Sequence, residues 1–452
     1  MSAPRGTVPA AALALAALAA SCAPVPATRP PQPAPAPPAV RRVAEPPPPG
    51  PGEVAPTPGA RPLDQEPLID VGLAWDLGSA EFKPLDGLYI THPDGTSEPG
   101  GEVISVSGGR YQNQGGRAAT SEGQLRAGDT LWIGNPRLPA DVRIRWNGKT
   151  WRGAFKLFPG PRGGLTVALR VPLETYLLGV VPGEIGGLTP DLVEAGRAQA
   201  IAARSYTLFY RGRRASEGFD LYGTVEDQVY GPVESERPLA TECVEQTRGR
   251  VALYDGMPIR ANYCSTCGGI SAEVWEAWPA AALPYLVSAR DRTDGQDLCA
   301  GSTQYRWRER WTASEFLFDI ERYGPAQGLA IPSGGLGTLV DVRVESRSRS
   351  GRVWRLLVRT SRAEVGIPAY AVRATLRRGG APGSILRSDL FKIDVRRDRA
   401  TGRALEVVAS GAGAGHGVGL CQTGALGMAR GGAKADRILE HYYPGVRLTR
   451  LY

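Results

Sequence analysis

The stretch that decides the fold is "VPLETYLLGVVPGEIGGLTPDLVEAGRAQAIAARSYTLFYRGRRA", which runs from Val171 to Ala215. An apolar segment ending at Glu184 precedes an Ala-rich run that favours a helix as far as about Arg213. Thr189 suits the cap of this helix and Pro190 suits its first position. The flanking sequence consists of short β-branched runs separated by Gly, Asn, Asp and Pro, which are typical of strands and turns. We therefore predict an α+β class, a strand-rich mixed fold with a few helices.

The chain is long enough for two or three domains, since it has 452 residues, of which 42% are hydrophobic. Its texture changes along the sequence and predicts four segments. These are a signal peptide at 1–22, a Pro- and Ala-rich linker at 23–66, a β-rich part at 67–160, and a catalytic-type domain at 161–452 with a strand-rich middle section at about 325–408.

The N-terminus predicts export. Arg5 is followed by an apolar run that ends at Ala20 and by a zone of small residues, which is the pattern of a signal peptide. The run is too short to span a bilayer comfortably. Cys22 stands where a lipoprotein carries its lipid. We therefore expect the periplasm or the outer face of the cell envelope, with the membrane contacted only through a lipid on Cys22.

The net charge of +8 favours an anionic partner such as nucleic acid, anionic lipid or an acidic cell-wall polymer. A coding bias toward Arg explains the same charge equally well. The sequence has no basic helix with interleaved aromatic residues and no nucleic-acid motif. We therefore predict that nucleic acid is not a partner.

Glu184 is the first candidate for chemistry. Its neighbours include Val181, Pro182 and Ile185, and an apolar environment raises the pKa of a carboxyl group. A Glu that stays protonated near neutral pH is suited to act as a general acid. The alternative is a solvated carboxylate beside a helix terminus. The hypothesis is that Glu184 is catalytic.

Arg197 and Arg204 lie on the Ala-rich helix that follows, seven residues apart and therefore on one face. If this face borders Glu184, the two guanidinium groups are suited to bind an anionic ligand. The alternative is a solvated helix surface. Gln199 falls on another face, where we expect a structural role.

A second constellation is "GAGAGHGVGLCQTGALGMARGG", residues 411–432. Its glycines let the backbone approach a ligand closely, so His416 and Gln422 become candidate substrate-binding residues. A nucleophile–base pair of Cys421 with His416 is a weaker alternative, because no Asp or Asn is clearly placed to orient the histidine. A small packed residue is the ordinary role of such a cysteine.

The third constellation is "NYCSTCGGISAEVW", which contains Cys264 and Cys267, with Cys299 further along the chain. Three cysteines are weak candidates for a zinc site, since the sequence shows no clear fourth ligand. A disulfide between Cys299 and one of the pair is at least as compatible with an exported protein. We therefore expect that no cofactor is required and leave zinc as the open alternative.

Several of these segments together resemble the SpoIID/LytB family. The similar stretches are "VPLETYLLGVVPGEI", "EAGRAQAIAARSYTL", "YCSTCGG", "PYLVS" and "GHGVGLCQTGALGMARGGAKADRILEHYYPGV". They occur in the order typical of the family and extend over nearly all of the chain after the linker. Motifs of this length and order are more specific than a lone Gly-rich loop.

The family includes peptidoglycan lytic transglycosylases of sporulation and enhancers of cell-wall amidases. The resemblance implies that Glu184 is the catalytic acid and that Arg204 occupies a basic family position. Arg197 stands where Lys is common, and Cys421 stands where the sporulation proteins commonly carry Ser. Some members bind zinc through Cys and His, but this chain does not match that ligand set.

The resemblance further implies the substrate and the reaction. Peptidoglycan glycan strands are the expected partner, cleaved between N-acetylmuramic acid and N-acetylglucosamine to leave 1,6-anhydro ends. A non-catalytic wall-binding protein, or an enhancer of a cell-wall amidase, is the alternative.

Overall fold

The computed structural model describes residues 63–85, 88–115, 121–137, 142–161, 163–379 and 381–452. The predicted signal peptide, Cys22 and most of the predicted linker lie outside the described residues. Among the residues described, no helix combines the length and apolar character needed to cross a bilayer.

Strands dominate the first part of the chain, where the sequence alternates short β-branched runs with turn residues. In chain order they are β1 (Leu68–Leu77), β2 (Ser79–Pro84), β3 (Tyr89–Thr91), β4 (Ser97–Pro99), β5 (Val103–Ser107), β6 (Arg110–Gln114), β7 (Ser121–Gln124), β8 (Leu131–Ile133), β9 (Arg143–Trp146), β10 (Lys149–Arg152), β11 (Ala154–Pro159), β12 (Leu165–Pro172) and β13 (Leu221–Tyr222). They form one sheet with the order β13-β1-β12-β11-β8-β3-β4 and a second with the order β10-β9-β2-β5-β6-β7.

The domain boundary predicted between residues 160 and 161 falls inside the first of these sheets. It lies in the turn that joins β11 to β12, two strands that pair antiparallel from Ala154↔Arg170 to Pro159↔Leu165. One continuous hydrophobic core extends from Ile69 in β1 to Tyr443 near the C-terminus. The predicted boundary therefore lies within a continuous sheet, whose strand pairing joins the two predicted parts.

Helices pack on this body in the order α1 (Leu173–Glu184), α2 (Val193–Tyr210), α3 (Pro238–Gln246), α4 (Val274–Ala277), α5 (Ala313–Tyr323), α6 (Ala369–Thr375), α7 (Gln422–Arg430) and α8 (Ala435–Tyr442). The apolar segment of the deciding stretch forms α1, and the Ala-rich run forms α2. The small side chains of α2 let α1, α3, α7 and α8 all contact it. The helix starts at Val193 rather than Pro190, because residues Pro190–Leu192 form a separate 3-10 turn.

The remaining strands are β14 (Arg250–Tyr254), β15 (Met257–Pro258), β16 (Tyr263–Cys264), β17 (Arg292–Thr293), β18 (Gln296–Asp297), β19 (Arg306–Thr312), β20 (Leu339–Arg347), β21 (Val353–Thr360), β22 (Glu364–Pro368), β23 (Arg377–Arg378), β24 (Ala381–Ile385), β25 (Phe391–Arg397), β26 (Ala404–Ala412), β27 (Leu420–Cys421) and β28 (Arg447–Arg450). The pairing that positions the site is parallel, between β16 and β27. It sets Tyr263 beside Leu420 and Cys264 beside Cys421, so the Cys-rich segment lies against the Gly-rich segment.

A second hydrophobic core lies between β19 and β26 in the sequence, with Trp311, Phe316 and Leu356 among its buried members. It contains the three-stranded sheets β19-β26-β25 and β20-β21-β22, together with α5 and α6. The strand-rich middle section predicted at about 325–408 is therefore a unit that begins earlier, at Arg306. The mixed, strand-rich α+β class is confirmed.

Candidate functional site

Glu184 is the last residue of α1, and its carboxyl group meets three hydrogen-bond donors. The Val229 N–H donates to Oε1 at 3.0 Å, and Gln422 Nε2 donates to Oε2 at 3.3 Å. The hydroxyl of Tyr263 is the third donor. Burial is the largest influence and raises the pKa of Glu184 above its ordinary value, while the three hydrogen bonds act in the opposite direction. The apolar surroundings thus have the effect expected from the sequence.

A close backbone approach brings the Val229 amide to this carboxyl. Gly179 of α1 faces the segment that follows β13, and a Cβ atom there would lie 2.5 Å from the carbonyl oxygen of Gly231. The Gly231 N–H donates to the carbonyl of Gly179 at 3.1 Å. Glycine at 179 therefore allows the segment carrying Val229 to pack directly on α1.

Tyr263 belongs to a chain of buried hydrogen bonds that begins on α2. Thr207 donates to Gln228 Oε1 at 2.7 Å, and Gln228 Nε2 donates to the Tyr263 hydroxyl at 2.8 Å. Burial holds the pKa of Tyr263 well above its ordinary value, so the hydroxyl keeps its proton and can donate to Glu184. Tyr263, Gln228 and Val229 were not predicted as site residues. The only signal for Tyr263 is its place beside Cys264 in the Cys-rich segment.

Arg204 does not bind a ligand in the way the sequence suggested. Its side chain is fully buried, and its guanidinium group forms two bonds to the Glu174 carboxylate, at 2.9 and 2.6 Å. Its other donors reach the backbone carbonyls of Ala200, Val244 and Arg250. With every donor used inside the core, the prediction that Arg204 binds an anionic ligand is wrong.

Arg197 lies at the surface between α2 and α3. It pairs with Glu194 at 2.7 Å and also contacts Gln246. Neither partner belongs to the group around Glu184. The structure therefore places the two arginines in different environments, although they share a helix face, and it brings neither to the Glu184 carboxyl.

His416 lies beside Tyr263, which contacts Glu184, but it does not itself hydrogen-bond to Glu184. Its Nδ1 accepts the Val418 N–H at 3.0 Å, and its ring centroid lies 4.7 Å from that of Trp278. Burial, followed by the charges of Arg373 and Arg352, lowers the pKa of His416 to about 3. The imidazole is therefore neutral at physiological pH and unsuited to bind an anion as a cation.

Two other arginines lie near His416 and the Cys-rich segment. Arg260 lies with its guanidinium carbon 4.9 Å from the Trp278 ring centroid, and its charge also acts on His416. Arg352 of the second core donates to the carbonyls of Cys267 at 2.9 Å and Ile270 at 3.2 Å. The second core thus reaches the Cys-rich segment through a buried guanidinium group.

Two family models match parts of this chain. Residues 161–254 match the family model SpoIID, described as Stage II sporulation protein, and residues 298–419 match DUF8618, a domain of unknown function. Residues 161–254 are therefore of the SpoIID type, and the resemblance to the SpoIID/LytB family is confirmed. The SpoIID match includes Glu184 and α2, whereas the second match includes almost all of the second core.

Three relatives of this chain illustrate the extent of the similarity. An uncharacterized protein of Brachyspira hyodysenteriae is 28% identical over 67% of this chain and 73% of its own length. The amidase enhancer of Bacillus subtilis is 28% identical over 60% of this chain but only 40% of its own length. Stage II sporulation protein D of Bacillus subtilis is 26% identical over 62% of this chain and 75% of its own length.

Cys421 is not arranged as a nucleophile. Its Sγ accepts the N–H groups of Cys267 at 3.2 Å and Gly424 at 3.3 Å, and burial holds the pKa of its thiol well above the ordinary value. The Nδ1 atom of His416 is occupied by the Val418 N–H. The hypothesis of a Cys421–His416 nucleophile pair is therefore wrong.

Three cysteines and one aspartate instead form a cluster, and one of its members, Cys421, directly precedes Gln422 in the sequence. The ligand atoms of Cys267, Asp291, Cys299 and Cys421 all lie within 4.8 Å of one another. Cys264 lies next to this thiol cluster but is not among its four members. All five cysteines in the described part of the chain are free thiols, so the disulfide that the sequence allowed is not formed.

A groove of about 500 Å³ lies beside the C-terminal end of α1. Pro182, Gly183 and Ile185 form one wall, and Ser235 and Arg237 contribute to the other. Glu184 itself does not line this groove, although Gly183 and Ile185, which flank it in the sequence, do.

Proposed function

We propose that this chain is an exported lytic transglycosylase of peptidoglycan. It cleaves the linkage between N-acetylmuramic acid and N-acetylglucosamine and leaves 1,6-anhydro ends, with denuded glycan strands as one substrate. The single observation that carries the proposal is the Glu184 carboxyl, whose pKa is raised by burial and which three donors hold in place. Family membership supports a cell-wall-related function of the SpoIID type.

The reaction needs one group that first gives and then takes a proton. The protonated Glu184 donates to the bridging oxygen as the bond from that oxygen to C1 of the muramic residue breaks. The C6 hydroxyl of the same residue then attacks C1, closes the anhydro ring and returns its proton to Glu184. Hydrolysis instead uses a pair of carboxyl groups. Among the described residues, no second carboxylate hydrogen-bonds to Glu184.

One cation near His416 is suited to the lactyl carboxylate of muramic acid. Arg260, partly exposed beside Trp278, replaces Arg204 in this role, because a ligand can reach it. No cofactor enters the proposed reaction. Export through the predicted signal peptide, and an anchor at Cys22, complete the proposal, with both features outside the described residues.

The test uses the purified full-length chain and glycan strands with or without stem peptides. Mass spectrometry should detect new 1,6-anhydromuramic ends, which are lighter than hydrolysed ends by one water. Products with hydrolysed reducing ends would contradict the proposal. So would cleavage that persists unchanged in Glu184→Gln.

The alternative is an enhancer of an N-acetylmuramoyl-L-alanine amidase, and the similarity to the amidase enhancer of Bacillus subtilis favours it. In that case the chain accelerates the release of stem peptides by an added amidase without forming anhydro ends. Glu184→Gln would then retain the full effect, which separates this function from strand cleavage.

The pH profile of cleavage depends on Gln422. Because the protonated form of Glu184 is the acid, its activity should decline as pH rises through the raised pKa of this group. The Gln422 hydrogen bond favours the carboxylate and lowers that pKa. Gln422→Leu should therefore move the alkaline limb of kcat/KM to higher pH.

The matched control is Gln246→Leu, which removes an amide that contacts Arg197 and Glu242 on α3 instead of Glu184. Its pH profile should coincide with that of the unmodified chain. A limb that stays in place, or moves to lower pH, in Gln422→Leu would show that this hydrogen bond does not set the pKa of the acid.

A further inference from the structure

The four members of the thiol cluster lie outside the proposed reaction. We propose that Cys267, Asp291, Cys299 and Cys421 form a structural Zn²⁺ site with four protein ligands. Four ligands close the coordination sphere, which is typical of structural rather than catalytic zinc. The inference does not depend on the proposed glycan cleavage.

The spacing of the ligand atoms fits one tetrahedral ion. The Sγ atoms of Cys267 and Cys299 lie 3.8 Å apart, and Sγ of Cys267 lies 3.0 Å from Oδ2 of Asp291. A tetrahedron with Zn–S bonds of about 2.3 Å has an edge of about 3.8 Å between its sulfur atoms. All four residues are buried, so one ion would join them without water.

The groups around the cluster orient its ligands. Oδ1 of Asp291 accepts the Tyr442 hydroxyl at 2.8 Å and contacts Nε2 of His441 at 3.2 Å. Its other oxygen, Oδ2, is the one that lies against Cys267. Partners of this kind, which hold the outer oxygen of a ligating carboxylate, are characteristic of metal sites.

Backbone amides approach the sulfur atoms in the same way. The Gly269 N–H donates to Cys267 Sγ at 3.3 Å, and Cys421 Sγ accepts two amides, from Cys267 and Gly424. Gly424 also leaves room for the carboxylate, since a Cβ atom there would lie 2.6 Å from Oδ2 of Asp291. Hydrogen bonds from the backbone stabilise negative charge on sulfur, which is the form that binds a metal.

Packing alone does not explain this composition. Cysteines are ordinary members of a hydrophobic core, but a carboxylate buried among three sulfur atoms is costly unless a cation or donors offset its charge. Thiolates select zinc over magnesium and calcium, which prefer oxygen ligands. A disulfide between Cys267 and Cys299 is the competing chemistry, and it would leave Asp291 and Cys421 without a ligand role.

The ion would connect the acid-bearing site to the rest of the body. Cys421 caps the N-terminus of α7 through its bond from Gly424, and the next residue, Gln422, donates to Glu184. Asp291 and Cys299 come from the segments before and after β17 and β18. Zinc would therefore fix the start of α7 relative to these segments and so position Gln422.

Metal analysis of the full-length chain, without substrate, tests the inference. After the protein is loaded with Zn²⁺ and freed of excess ion, it should retain one zinc ion per chain. Loaded with Co²⁺, it should show thiolate charge-transfer bands and the absorption of tetrahedral cobalt. A chain that retains no metal, whether its thiols are reduced or Cys267 and Cys299 are joined in a disulfide, would overturn the proposal.

Variants assign the ligands. Cys299→Ser should weaken Zn²⁺ binding by more than the roughly 10–100-fold that changes in the outer partners cost. The control is Cys243→Ser, which alters a buried thiol on α3 and should keep the metal. Tyr442→Phe should lose roughly 10–100-fold in zinc affinity and serves if Cys299→Ser does not fold. If Cys299→Ser and Tyr442→Phe bind Zn²⁺ as tightly as the control Cys243→Ser, the proposed ligands are excluded.

Discussion

Glu184→Gln is expected to reduce glycan cleavage by ~10²–10⁴-fold, the contribution typical of a positioned general acid. The amide keeps the size of the side chain and an oxygen that accepts the Val229 N–H, but it cannot transfer a proton to the bridging oxygen. The rate of formation of anhydro ends is the measurement.

The control for this variant is Glu226→Gln, which makes the same change at an exposed position three residues before Val229. It should cleave strands at the rate of the unmodified chain. Similar losses in both variants would indicate a general effect of charge and contradict a specific acid at 184.

The stability of Glu184→Gln should change in the opposite direction from its activity. The folded pKa of Glu184 lies above its unfolded value, so the folded state binds the proton more tightly. At pH values above the ordinary pKa of a glutamate, Glu184 ionises in the unfolded chain while it keeps its proton in the folded chain. The free energy of unfolding therefore falls as pH rises, until pH exceeds the raised pKa of the folded state. Because glutamine carries no such penalty, the variant should unfold at an equal or higher temperature at neutral pH.

Arg204→Ala should lower the free energy of unfolding by about 3–5 kcal/mol, the range found when one partner of a buried ion pair is removed. Burial acts to raise the pKa of Glu174, but the charge and hydrogen bonds of Arg204 outweigh it, and the pKa lies below its ordinary value. Without Arg204, the Glu174 carboxylate keeps only the donors of Gly249 and Tyr452. Urea unfolding measures the loss.

Arg197→Ala is the matched control, because it removes a partly exposed arginine from the same helix. Its cost should be about 0–1 kcal/mol, as for surface ion pairs. The double variant Arg204→Ala, Glu174→Ala should recover part of the loss, since no uncompensated carboxylate remains. Equal costs for the two arginines would show that the pair with Glu174 contributes no more than a surface contact.

Local patterns in the sequence predicted some of these features well. The Ala-rich composition of α2 predicts a helix without any tertiary information. A carboxyl group at the end of an apolar run predicts the raised pKa of Glu184, although the groups that contact it, at Val229, Tyr263 and Gln422, come from distant parts of the chain. The glycines around His416 and Gln422 marked a segment that does reach Glu184, through Gln422.

Features that depend on distant residues were missed. A spacing of seven residues puts Arg197 and Arg204 on one helix face, but it does not show which of the two is buried by the rest of the fold. The partner that buries Arg204, Glu174, lies on another helix. Tyr263 donates to Glu184, and Asp291 accepts from Tyr442, and no periodicity connects either pair of distant residues. The pairing of β11 with β12 across the predicted boundary at 160 was missed for the same reason, because strand pairing is not local.

The second core begins and ends at neighbouring points, since Arg306 at the start of β19 pairs with Ala412 at the end of β26. A short turn could therefore join the flanking chain directly without altering the path of the first body. This arrangement makes the region an insertion that a gene can gain, lose or exchange in one event. Arg352 limits this exchange, because a substitute region would also need a cation that donates to the carbonyl oxygen of Cys267.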